Sequence, residues 1–139
     1  MKYFICDYAR ANWGKTSALK LVINKLGTPK LTEKSGDDVW ALFEGVVTVS
    51  GTKRIVVSTV GDPYSVQPQW LQKAVDYEVD IVVCAARQHG KIVDNVYSIL
   101  KDNGYKEIWF QNFHSDQLEH IAAMNNATAD AIVQLIQQL

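Results

Sequence analysis

Short apolar runs alternate with helix-spaced apolar stripes along this chain, and that alternation constrains its fold more than any other feature. Residues 80–86, DIVVCAA, are a β-branched and small apolar run. Ile92, Val93, Val96 and Leu100 then recur at helical spacing across residues 91–103, Gly104 supplies a stop, and EIWFQNF (107–113) is strand-like again. The start of the chain repeats this order. KYFICDY (2–8) reads as a strand buried on both faces, and Leu19, Val22, Ile23 and Leu26 form one helical stripe that Gly27 and Pro29 end. Between these units, VWALFEGVVTV and KRIVVSTV are separated by SGT, which is hairpin chemistry. A short helix follows around Trp70, Leu71, Ala74 and Val75, with Pro68 near its first turn. The polar residues 30–38, KLTEKSGDD, read as an exposed loop, and residues 115–139 as helix, interrupted near Asn125 and Asn126, with Thr128 an N-cap for the last segment.

Strands alternating with helices predict right-handed crossovers and a sheet covered on both sides. The expected fold is a three-layer α/β/α sandwich on a mostly parallel five-stranded sheet with one antiparallel hairpin strand. At 139 residues and 47% hydrophobic content, the chain supports one domain over 1–139. Fourteen basic and fifteen acidic residues leave a net charge of −1, so no overall field favours nucleic acid or anionic lipid. The N-terminus is charged too early for a secretory signal and no apolar run approaches the ~18 residues of a membrane span, which leads to a cytoplasmic expectation without membrane contact. Cys6 and Cys84 lie inside strand-like runs and read as small buried hydrophobes rather than a disulfide or metal pair.

In such a sheet, ligands collect beyond the carboxyl ends of the strands, here residues 9–16, 58–65, 86–91 and 112–115. The first of these reads Ala9-Arg10-Ala11-Asn12-Trp13-Gly14-Lys15-Thr16, between a strand and a helix. A triphosphate needs backbone N–H donors, a helix N-terminus and a cation that reaches its outer oxygens. Ala11, Asn12, Trp13, Gly14, Lys15, Thr16 and Ser17 are the candidate cradle, with Lys15 on the β and γ oxygens and the Thr16 hydroxyl on Mg²⁺. Lys15 is expected to face solvent in the empty loop. Trp13 either covers a nucleotide or packs on the sheet edge.

This loop resembles the phosphate-binding loop, G-x-x-x-x-G-K-[ST], of the P-loop nucleoside triphosphatases and kinases, with Ala9 where the first glycine is expected. The resemblance extends over the chain in element order, and RIVVSTVGDP and DIVVCAARQHGKIVDNVYSIL are similar to small bacterial ATP-binding proteins. It implies ATP and Mg²⁺ as ligands. The family places an acid at the end of a neighbouring strand, where this chain has Ser58. Asp62 is the nearest carboxylate for the metal shell, or else a turn residue before Pro63. The guanine-reading Asn-Lys-x-Asp of the GTPases is replaced by CAAR, which points to adenine or loose base selectivity. Arg87, near His89 and Lys91, is a candidate stabiliser of phosphate charge, the alternative being a solvated loop or helix cap. His114 and His120 show no ligand spacing. The expectation is a weak ATPase or phosphotransferase with Lys15, Asp62 and Arg87 as catalytic residues, acting on an unidentified small-molecule acceptor or protein partner. The alternatives are a nucleotide-sensing module without turnover, and an α/β protein in which the loop is coincidental.

Overall fold

Alternate residues of the first strand, β1 (Lys2–Ala9), feed two separate cores: Phe4 and Cys6 on one face, Ile5 on the other. The computed structural model describes residues 1–9, 14–62, 65–87 and 97–139. After β1 come α1 (Lys15–Leu26), β2 (Leu31–Ser35), β3 (Asp38–Thr48), β4 (Gly51–Ser58), α2 (Gln67–Asp76) and β5 (Ile81–Arg87). Residues 97–102 are helical (α3), followed by β6 (Tyr105–Gln111), a 3₁₀ turn at Leu118–His120 and α4 (Ile121–Gln137).

The protein is α/β, with a six-stranded mixed sheet in the order β2-β3-β4-β5-β1-β6. β4, β5, β1 and β6 pair in parallel, whereas β3 runs antiparallel to both β2 and β4. Leu19 and Val22 of α1 and Ala129, Ile132 and Ile136 of α4 cover the face that carries Ile5, Val57 and Val83. Trp70, Leu71 and Ala74 of α2, with Tyr97 and Leu100 of α3, cover the face of Phe4, Val56 and Val82. Helices on both faces explain why the central strands are apolar without alternation.

The strand count differs from the expected five, because residues 31–35 form β2 rather than a loop. Every residue of β2 is exposed, so pairing with β3 and not burial makes it a strand. The expected break near Asn125 and Asn126 does not occur either. α4 is continuous, and Thr128 is no N-cap: its Oγ1, fully buried inside the helix, accepts a hydrogen bond from the Phe113 N–H at 2.9 Å. The anticipated hairpin forms as β3 and β4, turning between Thr48 and Gly51, with a bulge between Phe43 and Val46 where Gly45 has φ 72°. Pro68 sits in the first turn of α2 as expected. The expected helix over 91–103 is described only from residue 97.

Cys6 and Cys84 stand opposite each other in the β1–β5 register, both fully buried and free. Burial pushes the Cys6 thiol well up, so it stays protonated and packs as a small hydrophobe. Among the described residues no helix is long and apolar enough to cross a membrane.

Candidate functional site

Two neighbouring strands send the chain in opposite directions. From β1 the chain passes through α1 on one face to the far edge of the sheet, and from β5 it passes through α3 on the other face to β6. The crevice between the carboxyl ends of β1 and β5 is therefore a topological switch point. Register places Ala9 opposite Arg87 at that crevice. A cleft of about 420 Å³ opens there, lined by Gly14, Lys15, Thr16, Ser17, Asp38, Gly61, Asp62 and Arg87.

Each side of the cleft has a local cause. Gly14 precedes α1 with φ 84°, a conformation that a side chain would strain, and a Cβ there would lie 2.5 Å from Asn125 Oδ1. This helix begins with no side-chain cap and no acidic residue in its first turn, so its positive end is not neutralised by its own residues. Gly61 closes the opposite side, and a Cβ on it would touch Lys15 Cε at 3.4 Å.

Lys15 does not face solvent as expected. It is 7% exposed, and its Nζ donates to Ala9 O at 2.5 Å. The reason lies beneath it. Asp7, on the same face of β1 as Ile5, is completely buried and neither carboxyl oxygen has a hydrogen-bond partner. Burial pushes the Asp7 carboxyl up from the ordinary 3.8 to about 8, against the pull of the Lys15 charge. Burial likewise depresses Lys15, Asp7 opposes that depression, and the nearby charge of Arg87 adds to it. Two cations thus converge on an uncapped helix N-terminus, an arrangement that an anion relieves.

Thr59 ties the other wall together. Thr16 Oγ1 donates to Thr59 O at 3.4 Å, the Val39 N–H donates to Thr59 Oγ1 at 2.9 Å, and Thr59 Oγ1 donates to Asp38 Oδ1 at 2.9 Å. Ser58, at the position where the resemblance called for an acid, is fully buried with an unpartnered hydroxyl and does not line the cleft. Asp38 supplies a carboxylate instead. Asp62 also lines the cleft, and the Ser65 N–H and Oγ both donate to its backbone carbonyl, at 3.3 and 2.7 Å, in the turn that leads to α2.

The structure therefore brings together Gly14, Lys15, Thr16, Ser17, Asp62 and Arg87 of the residues singled out in the sequence. Ala11, Asn12, Trp13, His89 and Lys91 lie outside the described residues. His114 and His120 lie away from this cleft, the former in contact with Asp116 at 3.3 Å. Sequence reasoning missed Asp7 and Asp38. A lone carboxylate inside a run buried on both faces is the signal for Asp7. For Asp38 the signal is hairpin register, which sets Trp40 opposite Ser58 and so carries Asp38 past the end of β4.

The cleft's oxygen donors, two hydroxyls and two carboxylates, suit a hard cation beside an anionic ligand. Among the described residues no group of three or more His, Cys, Asp or Glu side chains gathers to hold a metal ion by itself. In comparisons with known proteins, the chain matches no family model, no curated protein and no solved structure.

Proposed function

We propose that the protein binds a nucleoside triphosphate in the manner of a P-loop protein, ATP with Mg²⁺ being the expected ligand. The observation that carries this reading is the convergence of Lys15 and Arg87 on the uncapped N-terminus of α1 at the switch point between β1 and β5. An isolated Gly-Lys-Thr at a helix start would not bring the second cation there. The Lys15 and Arg87 side chains pair with phosphate oxygens, and the first-turn N–H groups of α1 complete the cradle. The Thr16 hydroxyl and the Asp62 and Asp38 carboxylates would hold Mg²⁺, partly through water, since Mg²⁺ keeps several waters and takes few protein ligands. That ion would offset phosphate charge. Lys15 would leave Ala9 O to reach a ligand, and Asp7 keeps its own proton at neutral pH, so the departure strands no buried carboxylate charge.

The activity that fits is slow ATP hydrolysis or transfer of a phosphoryl group to an acceptor, with Arg87 stabilising charge in the transition state. A nucleotide-sensing module without turnover is favoured by one observation. Near Thr16 the end of β4 offers a backbone carbonyl and a buried serine, where a carboxylate would hold the metal more tightly.

A thermal-shift panel of ATP, ADP and inorganic triphosphate, each with and without Mg²⁺, tests the reading. Ligand at a hundredfold excess over Kd adds about 2.7 kcal/mol, a rise of several degrees for a chain of this length. Stabilisation by ATP that grows with Mg²⁺ is expected, and no shift with any of the three ligands would sink the proposal.

A further inference from the structure

A second cavity of about 230 Å³ opens beside the cleft and shares Gly14 and Ser17 with it. Its remaining walls are Phe113, His114 and Ser115 after β6, and Ile121, Met124 and Asn125 at the start of α4. The two cavities differ in chemistry. The cleft holds the charged Lys15, Asp38, Asp62 and Arg87, whereas this one combines apolar walls with serine, asparagine and histidine side chains. It is smaller than the roughly 300–1,000 Å³ that holds a whole small molecule, so it suits one end of a ligand.

Asn125 gives the cavity its chemistry. It lies on the inward stripe of α4 with Thr128, Ala129, Ile132 and Ile136, and is 8% exposed. A buried carboxamide ordinarily spends its donors and acceptor on neighbours. Even the exposed Asn126 next to it donates to Ala122 O at 3.0 Å. No hydrogen bond joins the Asn125 carboxamide to another described residue. Its Oδ1 lies over Gly14, close enough that a Cβ there would clash at 2.5 Å, so the group stands at the seam between the two cavities. Phe113 forms the rim. It is 44% exposed, its backbone N–H is fixed by Thr128 Oγ1, and its ring meets Phe110 edge-on at 5.7 Å.

We infer that the second cavity is the base subsite of the nucleotide, with Phe113 as stacking face and the Asn125 carboxamide as the group that selects adenine. This rests on the phosphate-cleft reading above. A carboxamide places a donor beside an acceptor and so pairs bidentately with the adenine amino group and its neighbouring ring nitrogen. On the N6/N7 edge that this pairing uses in adenine, guanine presents two acceptors, O6 and N7, and a carboxamide satisfies only one of them. An aromatic face accepts any base, so Phe113 contributes affinity and Asn125 choice.

The test is competition binding of ATP, GTP and inorganic triphosphate to the wild type, Asn125→Leu, Asn125→Asp and Phe113→Ala. The wild type should prefer ATP to GTP about tenfold, equivalent to ~1.4 kcal/mol. Asn125→Leu, close in shape, should lose that preference while its inorganic triphosphate affinity stays within about twofold. Asn125→Asp, which still accepts from the amino group but repels the ring nitrogen beside it, should weaken ATP without strengthening GTP, and Phe113→Ala should weaken both nucleotides while sparing inorganic triphosphate. Equal loss of ATP and inorganic triphosphate in Asn125→Leu would show that Asn125 acts only by packing on Gly14, and overturns the inference. So does inorganic triphosphate binding with an ATP preference that no variant alters, which leaves the phosphate cleft standing. Binding of neither ligand by the wild type removes both readings.

Discussion

Asp7 departs far from ordinary carboxyl behaviour. Its folded carboxyl holds a proton to about pH 8, while the unfolded chain releases it near 3.8. Between those values the folded state binds more protons, so stability falls as pH rises through the window and the group costs nothing below it. The full difference is of the order of 5 kcal/mol. Asp7→Asn should therefore unfold at nearly the wild-type temperature at pH 4 and at a higher one at pH 8, measured by denaturation across that range. A parallel decline in both proteins would show that Asp7 is not the group responsible. From sequence alone, KYFICDY was legible as a buried strand, yet which of its residues share a face with Lys15 depends on how α1 returns over β1. Packing, not local pattern, pairs the two.

The start of α1 shows what an element's end must satisfy. Gly14→Ala meets both an unfavourable positive φ, worth ~1–2 kcal/mol, and the Asn125 carboxamide. It should lower the melting temperature by several degrees, and Asn125→Ala in the same chain should return only the steric share, because the φ strain remains. Full recovery in the double variant would refute the backbone requirement. Elements that bury apolar stripes, such as α1 and the central strands, were readable from periodicity. The others were not. β2 has no buried residue to betray it, and Asn125 looked like a helix breaker because an inward-facing carboxamide on α4 makes sense only once the cavity above it exists.

At the scale of the whole molecule, strand order does what composition cannot. A chain of net charge −1 attracts no anion at long range, but the β5-β1 neighbourhood concentrates Arg87, Lys15 and a helix N-terminus in one crevice. Binding should accordingly be local and weaken with salt, less steeply than for a broadly basic surface. The same architecture leaves the metal side thin, so basal ATP hydrolysis should stay below about 0.1 s⁻¹ against typical turnover near 10 s⁻¹. Phosphate release by the wild type, Asp38→Asn and Asp62→Asn checks this, and fast release that both variants retain would contradict the metal roles given to those carboxylates. Apart from β2, the order of described strands and helices was legible in the sequence. Their convergence on one crevice was not, because it depends on which strands become neighbours.

The most direct test of the central claim is calorimetric titration of Mg·ATP into the wild type and Lys15→Ala at neutral pH, where Asp7 keeps its proton and removal of the lysine leaves no unpaired buried charge. Loss of a partly buried cation that pairs with phosphate should weaken binding about a hundredfold, or ~2.7 kcal/mol, in a variant that remains folded. Equal affinity of the two folded proteins for Mg·ATP would contradict the account.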